Sequence, residues 1–96
     1  MTYSIFLTKI AKHEITEAFL WYEEKQDNLG FRFEEHITDL IENIQRNPRI
    51  YQVRYRDVRI AFMRKFPYGV HFKINGTQII VIGVYHTSRD SAGWDR

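Results

Sequence analysis

A chain of 96 residues with 44% hydrophobic and 16% aromatic residues and no cysteine has the composition of one folded domain, expected to span 1–96, and excludes disulfides and thiolate metal sites. The net charge is only +2, yet residues 9–47 carry nine Asp/Glu against five Lys/Arg, while residues 49–73 carry seven Lys/Arg against Asp57 alone, so one acidic and one basic surface are expected. No long apolar run and no signal-peptide pattern occurs, which predicts a cytoplasmic protein without a membrane partner.

Residues 3–7 are β-branched and aromatic, a first strand. Thr8 follows with the hydroxyl that an N-cap needs, and a helix is expected from there to about Gln26. Ala11, Ile15, Ala18, Phe19 and Tyr22 form one apolar stripe at helical period, with Glu14, Glu17, Glu23 and Glu24 off it. Asp27-Asn28 reads as a turn with N-cap chemistry, and a second helix is expected over 29–46. Its stripe of Phe33, Ile37, Leu40, Ile41 and Ile44 repeats the spacing of the first. So short a connection makes the two helices antiparallel neighbours, and both stripes need a flat apolar partner. Leu20 and Phe31 fall opposite the stripes and are candidates for contact with a partner protein.

Asn47-Pro48 ends the second helix, since proline disfavours helical geometry in the residue before it. The chain then turns β-rich, with room for one extra short strand near Tyr51. In the strand over 58–64, the alternation predicts Val58, Ile60 and Phe62 toward the helices and Arg59, Ala61 and Met63 on the open face. Pro67 marks a tight reversal. In the following strand Val70, Phe72 and Ile74 point to the core and His71 and Lys73 away from it. Asn75-Gly76 signals a two-residue hairpin turn, and residues 79–85 read as a strand covered on both faces. The expected fold is α+β, in the order β-α-α-β-β-β. An N-terminal α-hairpin packs on a mainly antiparallel sheet of about four strands.

The open face would then gather Arg59, His71, Lys73, His86 and Arg89, rimmed by Arg54, Arg56, Arg64 and Lys65. Such groups can hold phosphate oxygens, and a histidine near neutrality can move a proton. Attack by the 2′-hydroxyl of RNA on its own phosphate needs those parts and no metal. Metal-ligand spacing, phosphate loops and a nucleophile elbow are absent, so no cofactor or metal is expected.

An ordered set of residues resembles the RelE/ParE superfamily of toxins from type II toxin–antitoxin systems. It comprises Trp21-Tyr22-Glu23, Leu29-Gly30, Arg32-Phe33, Pro48, Tyr51, Arg59, Phe66-Pro67-Tyr68, His86, Arg89 and Trp94. The resemblance implies two helices on a mainly antiparallel sheet, growth inhibition, and a cognate antitoxin that wraps the toxin with extended and helical segments. It leaves two targets open. RelE-like members cleave mRNA on the ribosome, with Arg59, His86, Arg89 and Lys73 as the candidate catalytic residues here. ParE-like members inhibit DNA gyrase by protein contact. For either target, Arg54, Arg56, Arg59, Arg64, Lys65, His71 and Lys73 are the candidate binding residues. The chain has no Tyr after residue 85, a departure that favours the gyrase expectation slightly. A toxin-like module without activity is the third expectation.

Overall fold

The computed structural model describes residues 2–88; Arg89 and Trp94 lie outside the described residues. The elements are β1 (Ser4–Leu7), α1 (Lys9–Lys25), α2 (Leu29–Arg46), a short 3₁₀ turn (Pro48–Ile50), β2 (Val53–Tyr55), β3 (Val58–Phe62), β4 (Tyr68–Asn75) and β5 (Gln78–His86). The strands form one five-stranded sheet in the order β1-β5-β4-β3-β2. β1 runs parallel to β5 and the other pairs are antiparallel. The sheet therefore exceeds the expected four strands by β2, which the chain makes from the β-rich stretch after Tyr51. Among the described residues no helix is long and apolar enough to cross a membrane.

Each helix starts where local chemistry satisfies its free amides. The Thr8 hydroxyl accepts from the amide of Ala11 at 3.2 Å, while the Thr8 amide donates to the Val81 carbonyl at 3.1 Å. One residue thus caps α1 and ties it to β5. At α2 the expected cap fails. Asn28 is left-handed, with φ 71°, and its side chain makes no capping bond. An N-cap side chain reaches its helix from extended backbone, which this geometry denies it. Glu23 of α1 takes over, its two carboxylate oxygens accepting from the amides of Asn28 and Gly30 at 3.0 Å each. Glu23→Ala should lower stability by about 1–2 kcal/mol in urea unfolding. Loss of less than a few tenths would mean that water caps α2 equally well.

Gly30 allows that contact. A methyl group there would sit 2.5 Å from the Phe19 carbonyl oxygen and 2.9 Å from the Glu23 Cβ, so the hairpin closes tightly only around a glycine. The stripes then bury Ala11, Ala18, Phe33, Ile37 and Ile44 against Val70, Phe72, Ile79, Val81 and Val84 of the sheet. This apolar contact between layers is the main stabilising term.

Two sheet details differ from the alternation read in the sequence. In β3 the opposed pairs are Arg59 with Phe72, Ile60 with His71, Ala61 with Val70, and Phe62 with Gly69. Opposed residues share a face. Arg59 and Ala61 therefore face the helices, and Ile60 and Phe62 face away, the reverse of the expectation. Both faces of this strand are apolar enough to be covered, so residue size did not fix its phase. In β5, Gly83 opposes His71 and Val81 opposes Phe72, which leaves Ile82 as an extra residue, a β-bulge. α1 completes the backbone around it: the Thr8 hydroxyl reaches the Ile82 carbonyl at 3.4 Å, and the Val84 amide donates to the Glu14 carboxylate at 2.8 Å. The β4–β5 turn is Gly76-Thr77, one residue later than expected, because Asn75 already pairs with Gln78. Gly76 has φ 63°, the positive value that a primed turn needs at its first central position.

Candidate functional site

The bulge and the phase of β3 decide which polar side chains meet. Arg59 lies on the helix side. Its guanidinium Nη1 donates to the carbonyls of Tyr51 at 2.6 Å and Arg49 at 3.4 Å, pinning the chain around the 3₁₀ turn to β3. His86, moved across the sheet by the bulge, opposes Tyr68 and packs against its ring at 5.2 Å, also on the helix side. Its Nδ1 accepts from the Ser88 amide at 3.2 Å.

Lys73 and His71 are on the other face, as expected. Lys73 Nζ is 3.6 Å from the Asp57 carboxylate, so the one acid of the basic stretch lies beside it. His71 is fully buried. Its Nδ1 is 2.9 Å from the Tyr55 hydroxyl, and its ring lies 4.8 Å from that of Tyr85. Tyr85 comes this close because Gly83 has no side chain; a Cβ there would fall 2.4 Å from the tyrosine ring. Burial lowers the His71 pKa from the ordinary 6.5 to about 4, so the imidazole is neutral at physiological pH. Val58, Ile60, Tyr55, Tyr85 and His71 thus make a small second core on the sheet face away from the helices, where a solvated catalytic face was expected.

The five residues expected to converge are therefore divided. Arg59 and His86 are on one face, His71 and Lys73 on the other, and Arg89 lies outside the described residues. Among the described residues no group of three or more His, Asp or Glu side chains could hold a metal ion.

The rim cations Arg54, Arg56, Arg64 and Lys65 are exposed. Arg54 lies over the Phe62 ring at 5.2 Å, and Arg56 sits in the β2–β3 turn with φ 50°. On the α-hairpin, Leu20 and Phe31 are exposed, and Phe31 meets Phe19 edge-on at 4.9 Å. Trp21, next to Leu20, is also exposed, with Lys25 over its ring at 4.8 Å.

Sequence reasoning missed Ile50 and Phe62. Ile50 is 67% exposed and Phe62 40%, and both line a cleft of about 520 Å³ between α2, the 3₁₀ turn and the end of β3. A signal for Ile50 was present: it falls outside both helical stripes and outside any strand alternation, directly after Pro48-Arg49. Phe62 was hidden by the reversed phase of β3.

The family model described as ParE toxin of type II toxin-antitoxin system, parDE, matches residues 5–91. The fold is similar to that of a chain from a solved chromosomal ParDE toxin–antitoxin system of P. aeruginosa, with a TM-score of 0.77 at 15% identity, covering 91% of this chain and 98% of that one. No curated protein matches the chain closely enough to count as a relative.

Proposed function

The chain belongs to the ParE toxin family of type II toxin–antitoxin systems, and we propose that it inhibits DNA gyrase by protein contact and is neutralised by a cognate antitoxin. The observation that carries this reading is the division of the candidate catalytic set between the two faces of the sheet. Charge stabilisation at a phosphate requires donors converging on one position at about 3 Å. Arg59 instead spends its guanidinium on two backbone carbonyls, and His71 is buried and neutral. A contact inhibitor needs no such convergence. It needs surface that a partner can desolvate, and exposed Leu20, Trp21, Phe31, Ile50 and Phe62 supply it among the described residues. The antitoxin follows the same logic, since it silences a contact inhibitor by covering that surface.

Induced expression without antitoxin tests the reading. Growth should stop while cellular mRNA stays full length, and Lys73→Ala and His86→Ala should leave the arrest within about threefold of the parent, as for residues outside a catalytic set. Fragmented mRNA that either substitution abolishes, in a chain that still folds, would replace the proposal with ribosome-dependent cleavage.

A further inference from the structure

We infer that β1 is a dimerisation edge: the β1 strands of two copies of this chain pair antiparallel through Ile5 and Leu7, with the two Phe6 side chains in contact at a two-fold axis.

The two edges of the sheet are unlike. β2 has three residues, shifts register between Val53 and Tyr55, and carries exposed Arg54, with exposed Arg56 in the turn after it. Shortness, irregular pairing and exposed charge are what keep a sheet edge from adding a strand. β1 pairs with β5 without a register shift over Ser4–Leu7, and no charged side chain occurs from Met1 through Thr8.

Strand alternation sets what this edge offers. The amides of Ser4 and Thr8 donate to the carbonyls of Thr77 and Val81, at 3.0 and 3.1 Å. Every second residue of a strand bonds the same neighbour, so Ile5 and Leu7 direct their amides and carbonyls outward from the sheet. Among the described residues no strand lies beyond β1. The side chains of Ile5 and Leu7 pack on the core, while Phe6 opposes Ile80 on the other face and is 52% exposed. Ile10, in the first turn of α1, is 61% exposed. It precedes Phe19, whose ring meets Phe31 of α2, by about two and a half helical turns. That offset puts Ile10 on the side of α1 away from α2, close to the end of β1, where it extends the apolar margin.

These facts select a register. Opposed residues share a face, so odd positions meet odd and even meet even when both copies keep their helices on one side. The Tyr3 carbonyl already accepts from Gln45 Nε2 at 2.9 Å, which confines pairing to Ser4–Leu7. An axis at Phe6 then sets Ile5 of each copy against Leu7 of the other, with both amide–carbonyl bonds exchanged. Phe6 meets its own copy as a non-hydrogen-bonded pair, with a Cα separation of about 4.5 Å.

The occupant is a second copy because the edge complements itself. Identical surfaces meet here without opposing like charges, whereas the hairpin would oppose its acids, and the β2 side its arginines, to their own kind. Each copy buries one edge and keeps the blunted one, so growth stops at two. The contact is small, and a dissociation constant on the order of 10 µM is expected.

Sedimentation of the purified full chain, from about a tenth to ten times that concentration, tests the inference. The parent should pass from monomer to dimer and form nothing larger. Phe6→Lys, which sets like charges at the axis, should stay monomeric with an unchanged circular dichroism spectrum. Phe6→Cys should give a disulfide-linked dimer in air, since the chain has no other cysteine and the Cα spacing lies within disulfide reach. Leu20→Cys on α1 should not. A parent that stays monomeric at the highest concentration overturns the inference. So does a dimer that Phe6→Lys leaves intact, assembly that continues past two, or equal cross-linking through both cysteines. A monomeric parent whose antitoxin or gyrase binding Phe6→Lys weakens would give the edge to that partner instead.

Discussion

Phe33→Ala should lower the stability of the domain by about 3–5 kcal/mol. Phe33 has no exposed surface, and its ring meets three others: Tyr22 stacked at 5.5 Å, Phe66 edge-on at 5.3 Å and Tyr68 edge-on at 5.4 Å. Those rings come from α1, the β3–β4 connection and β4, so truncation opens a cavity where both helices meet the sheet. Aromatic pairs add to the burial term, and the surrounding rings cannot collapse into the space without losing their own edge contacts. Domains of this size are stable by about 5–15 kcal/mol, so the variant should unfold at markedly lower urea or fail to accumulate. A loss under about 1.5 kcal/mol would mean that this aromatic cluster repacks freely and does not lock the layers together.

Acid should destabilise the protein through His71. The folded pKa is near 4 and the unfolded one near 6.5, so as pH falls the unfolded chain takes up the proton first. The contribution is fully present above about pH 6.5 and is lost as pH falls from there to 4. The expected loss is roughly 1–2 kcal/mol between pH 6.5 and 5, and about 3 kcal/mol in all. Burial sets the direction: the Tyr55 hydroxyl and the Tyr85 ring are among the groups facing the imidazole, with Ile60 opposite on β3. Asp57 is engaged by Lys73 at the turn. Urea unfolding across pH 5–7 checks this, with His71→Leu as the comparison. The parent should lose stability as pH falls, and the variant should show a slope close to flat. Equal slopes would place the titrating group elsewhere.

How far the fold was legible in the chain varies by element. The stripes of α1 and α2 were readable because a helix buries one face, and one residue type fills it for several turns. Thr8 was readable because capping is local. The cap of α2 was not, because Glu23 acts from the preceding helix, and no spacing rule anticipates a left-handed Asn28. The placement of β1 beside β5 was likewise a long-range choice that its own four residues do not encode.

The candidate site was less legible, for two reasons that can be named. Arg59 was taken as a solvent-facing cation between apolar residues, but a guanidinium can sit over a core when backbone carbonyls receive it, as those of Tyr51 and Arg49 do. His86 was expected on the open face as the residue that ends the last strand. The extra residue at Ile82 shifts every later side chain to the opposite face, so Val84 and His86 turn to the helices while Tyr85 joins His71. Continuous apolar strands hide such bulges, because each register looks equally good until Gly83 makes room for the Tyr85 ring.

Contact with gyrase is the action we propose for this ParE-family chain. Supercoiling of a relaxed plasmid by purified gyrase, titrated with the purified chain, tests it most directly. Contact inhibition should give a dose-dependent loss of supercoiling that equimolar antitoxin reverses. Undiminished supercoiling at a large excess of the chain, under conditions where the same preparation cuts ribosome-bound mRNA, would contradict it.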